Sequence, residues 1–212
     1  MAIWNNTYEE DAGLEKVVRL CLALSQFLFP GTYIRHLFWR QGNAVQDLTT
    51  EVYVLLKTSF PLAVLLFQWE DMLWPFALMI WMMLETVLYI PTMIFASDAL
   101  PSPRSYRRTK LLIFINYLEV VFAFGVIHFR GQYFNQPFLH WSDALYTSFV
   151  VTSTIGFGDF FPVSGYGKLI ICFQSLFYLS YIALFISFFT SGPSGGGYFG
   201  GLARKGGSGK EG

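Results

Sequence analysis

The sequence predicts an all-α membrane protein with four transmembrane helices and a re-entrant segment between the third and the fourth. Three observations carry this. Of 212 residues, 54% are hydrophobic and 13% charged, against roughly a quarter charged in a soluble domain. The apolar residues are not interleaved with polar ones at helix or strand period but fall in blocks as long as a bilayer is thick. The 39 residues between the last two blocks are themselves apolar and punctuated by glycine.

Residues 1–51 read as a cytoplasmic N-terminal region. Glu9, Glu10, Asp11 and Glu15 crowd its start, with no basic beginning and no cleavage site, so no signal peptide is expected. Leu14 to Trp39 is apolar and aromatic but interrupted by Lys16, Arg19, Pro30, Gly31 and Arg35. It is expected to be an amphipathic helix lying on the membrane surface, with a fifth span as the competing reading. The four spans are Val52–Trp69, Met72–Ala96, Leu111–Phe129 and Leu169–Thr190, each of 18 to 25 residues, enough to cross a hydrocarbon core of about 30 Å. Pro61, Pro75 and Pro91 are compatible with the first two, because neighbouring helices can satisfy freed backbone groups. Residues 52–96 thus form a hairpin, 97–110 a basic loop, 111–190 the re-entrant unit with its flanking spans, and 191–212 a flexible Gly/Ser-rich tail.

Basic residues in short loops mark the cytoplasmic side. Arg104, Arg107, Arg108 and Lys110 occupy the 97–110 loop, and Arg204, Lys205 and Lys210 the tail, whereas Glu70 and Asp71 sit in the turn between the first two spans. Both termini are therefore expected inside a cell membrane, plasma or bacterial inner. The basic loop is also a candidate contact for anionic lipid. With 14 basic and 14 acidic residues the formal net charge is zero, and no basic field points to nucleic acid. Cys21 and Cys172 lie far apart without ligand spacing and read as small buried hydrophobes. No nucleophile elbow, HExxH or phosphate loop is present, so an enzyme is not expected, nor a cofactor.

The re-entrant stretch holds an amphipathic helix, Trp141 to Ser153, with Ser142 as N-cap and Asp143 in its first turn. Thr154-Ile155-Gly156-Phe157-Gly158-Asp159 follows. Glycine at alternate positions permits positive φ, so successive carbonyls can face one side instead of alternating as in a strand. Four such segments around an axis would form oxygen rings able to replace the hydration shell of a monovalent cation.

This hexapeptide resembles the selectivity-filter signature of tetrameric potassium channels, TVGYGD in its commonest form. Thr152-Ser153 before it, Pro162 after it, then Gly167-Lys168 and an uncharged helix, fit the family layout of pore helix, filter, outer mouth and inner helix. The resemblance covers Leu111 to Thr190. It implies a potassium-selective homotetramer with K+ as permeant ion, held at Thr154, Ile155, Gly156 and Phe157, with Gly158 completing the filter and Asp159 at the outer mouth. Phe157 stands in place of Tyr and lacks its hydroxyl, Ile155 in place of Val, and the inner helix has no hinge glycine. Weakly selective cation conduction, or a non-conducting scaffold or accessory subunit, are the rival readings.

Along the last span, Leu179, Ile182, Ala183, Ile186 and Thr190 share one helical stripe; the family layout makes them cavity-lining, with Ile182 and Ile186 as gate candidates. Glu85 and Glu119 are expensive to place mid-bilayer and are expected to find polar partners or be protonated, with Lys57 in reach of one. No span carries the regular basic repeat of a voltage sensor. His128 and His140 are expected to flank the outer mouth.

Overall fold

The structure, a computed structural model, describes residues 14–37, 42–95 and 105–190. Its elements are α1 (Leu14–Ser25), a 3-10 turn (Gln26–Leu28), α2 (Pro30–Leu37), α3 (Asn43–Leu66), α4 (Leu73–Phe95), α5 (Tyr106–Gly131), α6 (Trp141–Thr152) and α7 (Gly165–Thr190). Four of them, α3, α4, α5 and α7, contain stretches long and apolar enough to cross a membrane. The chain is an all-α membrane protein, as the hydropathy blocks predict. The basic loop's Arg104 and the tail from Ser191 lie outside the described residues.

Helix α5 is the central post, packed against α3, α4, α6 and α7. Its Val120, Ala123, Phe124 and Val126 meet Val64 and Leu65 of α3, Met79, Met83 and Ile90 of α4, and Phe177, Tyr181 and Leu184 of α7 in one apolar core. Gly125 lets α6 approach closely: a Cβ there would sit 3.4 Å from the Leu145 Cα.

The observed helices overrun the apolar blocks at their polar ends. Helix α3 starts at Asn43 because Gln46, Thr49 and Thr50 are compatible with a helix that has left the apolar layer. It stops in a Schellman motif: Gln68 is left-handed at φ 56°, and Trp69 N–H bonds Val64 O at 2.9 Å. Proline does not break it, since α3 runs through Pro61 and α4 through Pro91.

The expectation of one surface helix from Leu14 to Trp39 is corrected. Phe29 is extended (φ −118°, ψ 147°), as the residue before a proline tends to be, and Pro30 opens a new helix at its first position. The resulting α1–α2 hairpin lies against the bundle, α1 on α4 and α2 on α3. Its turn docks midway along α4, where the buried Phe29 ring lies 6.4 Å from that of Trp81 and Gly31 N–H donates to Glu85 Oε1 at 3.1 Å. A Cβ on Gly31 would fall 2.4 Å from that oxygen. The cysteines are corrected too: Cys21 and Cys172 are exposed in the single chain, each on a helix face that the other helices of the chain do not cover.

Candidate functional site

The N-cap of α6 is His140, not Ser142. Its ring Nδ1 accepts the Ser142 N–H, and Asp143 Oδ2 accepts the His140 N–H at 3.1 Å, a reciprocal capping box. Ser142 is exposed and hydrogen-bonded to the same ring. Helix α6 buries Ala144, Thr147, Ser148, Val150 and Thr152, then unwinds in a turn in which Thr154 N–H reaches Val151 O and Ile155 N–H reaches Val150 O, both at 3.2 Å.

Beyond that turn the backbone alternates. Thr154, Gly156 and Gly158 have φ of 59°, 60° and 80°, while Ile155 and Phe157 stay out of the positive region. A strand keeps one sign of φ and alternates its carbonyls; flipping the sign at every second residue rotates alternate peptide planes and removes that alternation. Nothing lies within 4 Å of where a Cβ would stand at Gly156 or Gly158. Within the single chain, glycine is therefore required for its dihedral freedom and not for space. Thr154 reaches the same region with a side chain, at a cost of about 1–2 kcal/mol. All residues from Thr154 to Asp159 are exposed in the single chain, with Ile155 at 57% and Phe157 at 67%.

The far end of this segment is clamped to the residues after α5. Asn135 Nδ2 donates to Asp159 O at 3.1 Å, and Gln136 Nε2 to the same oxygen at 3.4 Å. Asn135 Oδ1 accepts Phe161 N–H at 2.9 Å, and Tyr133 O accepts Val163 N–H at 3.0 Å. The Tyr146 ring stacks on that of Phe157 at 6.4 Å. Local desolvation, then a hydrogen bond to the Asp159 side chain and its charge, push the Tyr146 phenol up.

Behind α6 runs a buried polar chain. Gln174 Nε2 on α7 donates to Ser148 O at 3.1 Å and to Thr152 Oγ1 at 2.7 Å. A carbonyl only accepts, so the amide nitrogen must face α6 and Gln174 Oε1 must face His128 Nε2, 2.8 Å away. That fixes His128 as the Nε2–H tautomer, leaving Nδ1 to accept from Tyr133 OH at 2.5 Å. His128 is fully buried, which corrects the expectation that it flanks an outer mouth; His140 is exposed. Ser148 Oγ extends the chain to Val121 O at 2.6 Å. Gln174 was legible as the lone amide in an otherwise apolar stretch of the last span, a residue that needs a partner there.

Residues 112–192 match the family model of an ion channel. No curated protein and no solved structure gave a match. The matched stretch starts within α5, takes in α6 and the alternating segment, and ends just past α7; it is under half of the chain and leaves α1 to α4 outside. The ion-channel match supports a multi-pass membrane protein that moves ions.

Within the ion-channel stretch, α7 turns Phe177, Tyr181 and Leu184 into the core and leaves Leu176 and Leu179 (61% each), Ala183 and Ile186 (57%) on an open face. Ile182 lies at its edge, half buried, and the Thr190 side chain lies outside those described. Outside the matched stretch, Lys57, Glu85 and Glu119 converge. Lys57 Nζ is 3.1 Å from Glu85 Oε2 and 3.5 Å from Glu119 Oε2, and it donates to Thr86 Oγ1 at 2.7 Å. Lys57 thus reaches both acids, one more than expected. Tyr53 and Thr86 complete the cluster; sequence gave no sign of them because neither carries charge. Arg108 is drawn inward from the basic loop, ion-pairing with Asp47 and Glu51 of α3 at 2.6 Å each; it bolts α5 to α3 and is committed to them, while Arg107 stays exposed.

Proposed function

We propose that this chain is the subunit of a potassium-selective channel in which four copies surround one axis and conduct passively. The observation that carries the reading is the alternation of positive φ at Thr154, Gly156 and Gly158 within the sequence TIGFGD. One such segment cannot encircle an ion, and its exposed residues call for partners across an axis; a closed homotetramer supplies them. In that arrangement the carbonyls of Thr154, Ile155, Gly156 and Phe157 replace water around a dehydrated K+, and Asp159 faces the entrance. The clamp from Asn135 and Gln136 and the Gln174 chain behind α6 hold the segment at both ends, which supports a filter whose dimensions are fixed by the protein. Leu179, Ala183 and Ile186, with Ile182 at the margin and Thr190 further along, line the cavity beneath.

The basic residues of the loop and tail support a cytoplasmic side for both termini, and they make the loop a candidate contact for anionic lipid. Helices α3 and α4 form an accessory hairpin on the pore's outer helix α5. No voltage sensor is proposed.

Purified protein in liposomes under opposed potassium and sodium gradients tests this. The expected reversal potential follows potassium, and Gly156→Ala abolishes the flux. A reversal potential between the two ions would instead favour the weakly selective reading, and no flux from well-assembled protein the scaffold.

A further inference from the structure

The two acids of the Lys57 cluster are not equivalent. Glu85 receives donors on both oxygens: Gly31 N–H on Oε1 at 3.1 Å, and Tyr53 OH and Lys57 Nζ on Oε2 at 2.5 and 3.1 Å. That is the environment of an ionised carboxylate, with a cation in direct contact. Glu119 accepts a short hydrogen bond from Thr86 Oγ1 at 2.6 Å, on the same oxygen Oε2 that faces Lys57. Its other oxygen, Oε1, is buried with no partner, and the side chain is 1% exposed. Lys57 is farther from it, at 3.5 Å, and Thr86 stands between them, accepting from the lysine and donating to the acid.

One cation against two carboxylates leaves a net negative charge in an apolar layer, and a bare anionic oxygen there lacks any compensating donor. The titratable groups facing Glu119 are Lys57 and Tyr53 from α3 and Glu85 from α4; α7 presents Tyr181 to α5 through a ring stack on Tyr117 at 4.3 Å. Among the described residues, none of these besides Lys57 is cationic.

We propose that this cluster is a proton-binding site: Glu119 holds one exchangeable proton, and Glu85 is the carboxylate that neutralises Lys57. The bound state is then electrically neutral. Releasing the proton sets a second negative charge against Glu85, at the point where α5 meets the α3–α4 hairpin and, through Gly31, the turn of the α1–α2 hairpin. The site reports on that junction whether or not the chain conducts.

Infrared spectroscopy of the full chain in liposomes tests it without any flux measurement. A protonated carboxyl band, shifted by deuterium exchange, is expected at neutral pH, lost in Glu119→Gln and bleached as pH rises through the titration of the site. Glu70 also buries an oxygen without a partner, so the wild-type minus Glu119→Gln difference spectrum isolates the band of interest. Glu119→Gln copies the neutral side chain and is expected to assemble and melt like wild type. Glu85→Gln strips Lys57 of its carboxylate and is expected to lose the band, because Glu119 then gives up its proton to become the counter-ion. A difference spectrum without the band, a Glu119→Gln protein that fails to assemble, or a band that persists in Glu85→Gln would each overturn the assignment.

Discussion

Gln174 Nε2 donates to Thr152 Oγ1 across 2.7 Å, fastening the middle of α7 to the last turn of α6, two residues before the chain turns left-handed at Thr154. The same nitrogen reaches Ser148 O, and the same side chain's oxygen meets His128. One uncharged residue on α7 therefore links α5, α6 and α7 just behind the candidate filter.

Replacing Gln174 with Leu removes the amide and leaves the His128 Nε2–H buried without its acceptor, whereas the Thr152 hydroxyl keeps its own bond to Ser148 O at 2.6 Å. The stranded donor costs about 1–3 kcal/mol. Gln174→Leu is expected to lower the melting temperature of the assembled protein in detergent and to reduce flux, whereas Ser180→Ala, a change at a hydroxyl that bonds only its own helix at Leu176 O, leaves both near wild type. Equal melting of the two variants would show that the chain of hydrogen bonds does not support the pore.

Gly156 and Gly158 separate dihedral from steric effects, because a methyl group has room at both but an L-residue does not favour φ of 60° or 80°. L-Ala at Gly156 is expected to cost about 1–2 kcal/mol per copy and to abolish conduction. D-Ala introduced at the same position by semisynthesis carries the same methyl and favours positive φ, so conduction is expected to survive. Loss with both enantiomers would mean that the methyl itself, and not the backbone sign, is what the site rejects.

Tyr133 supplies the pH dependence. Burial, with a smaller contribution from neighbouring Tyr166, pushes its phenol above the ordinary value of 10.0. The neutral form is the one that donates to His128 Nδ1. Because the folded value lies above the unfolded one, the stabilisation is fully present below about pH 10 and is lost as pH rises toward the folded value. Melting temperature is expected to fall with pH in the alkaline range, and more gently in Tyr133→Phe. Parallel slopes for the two proteins would remove Tyr133 from the account.

How much of this was legible beforehand depends on what each feature rests on. The four spans were readable because apolar block length is set by the bilayer alone, and the backbone alternation of the candidate filter because alternate glycines have few other uses. That Glu85 and Glu119 would need polar partners or a proton was readable, because an acid within a span is costly without one. Three things were not. The α1–α2 hairpin turns on Phe29-Pro30 and on a backbone N–H aimed at Glu85, a tertiary contact with no periodic signature. The Arg108 ion pairs look identical in sequence to a topogenic loop charge. His128 reads as a surface histidine until Gln174, 46 residues away, is brought against it. Short-range pattern reports which faces are apolar, but not which polar groups will find each other.

Lys57 is the single cation of a buried cluster, so removing it alone is far worse than removing it with its partner. Lys57→Met leaves Glu85 with two neutral donors and no counter-charge, a loss of about 3–5 kcal/mol by the usual scale for a broken buried pair. Adding Glu85→Gln to Lys57→Met removes the stranded charge and is expected to recover most of the stability, measured by detergent melting of the assembled protein. Additive losses in this cycle would mean that the two side chains act independently despite their 3.1 Å contact.

Ile186 and Leu184 set a gate candidate against a core position on one helix. Leu184 is 1% exposed and packs against α5, whereas Ile186 is 57% exposed on the open face of α7, so a polar side chain at Ile186 displaces no core packing within the chain. If four copies bring that face to a common axis, a ring of Ile186 narrows and dries the passage. Asn in its place wets the constriction. Ile186→Asn is expected to raise open probability or conductance in planar-bilayer recordings with little change in melting temperature. Leu184→Asn is expected to do the reverse, destabilising assembly by burying an amide without a partner. Ile182→Asn, at the half-buried edge of the face, should fall between them in both readouts. Unchanged currents in Ile186→Asn with intact protein would place the constriction elsewhere along the exposed line, with Leu179 the next residue to change.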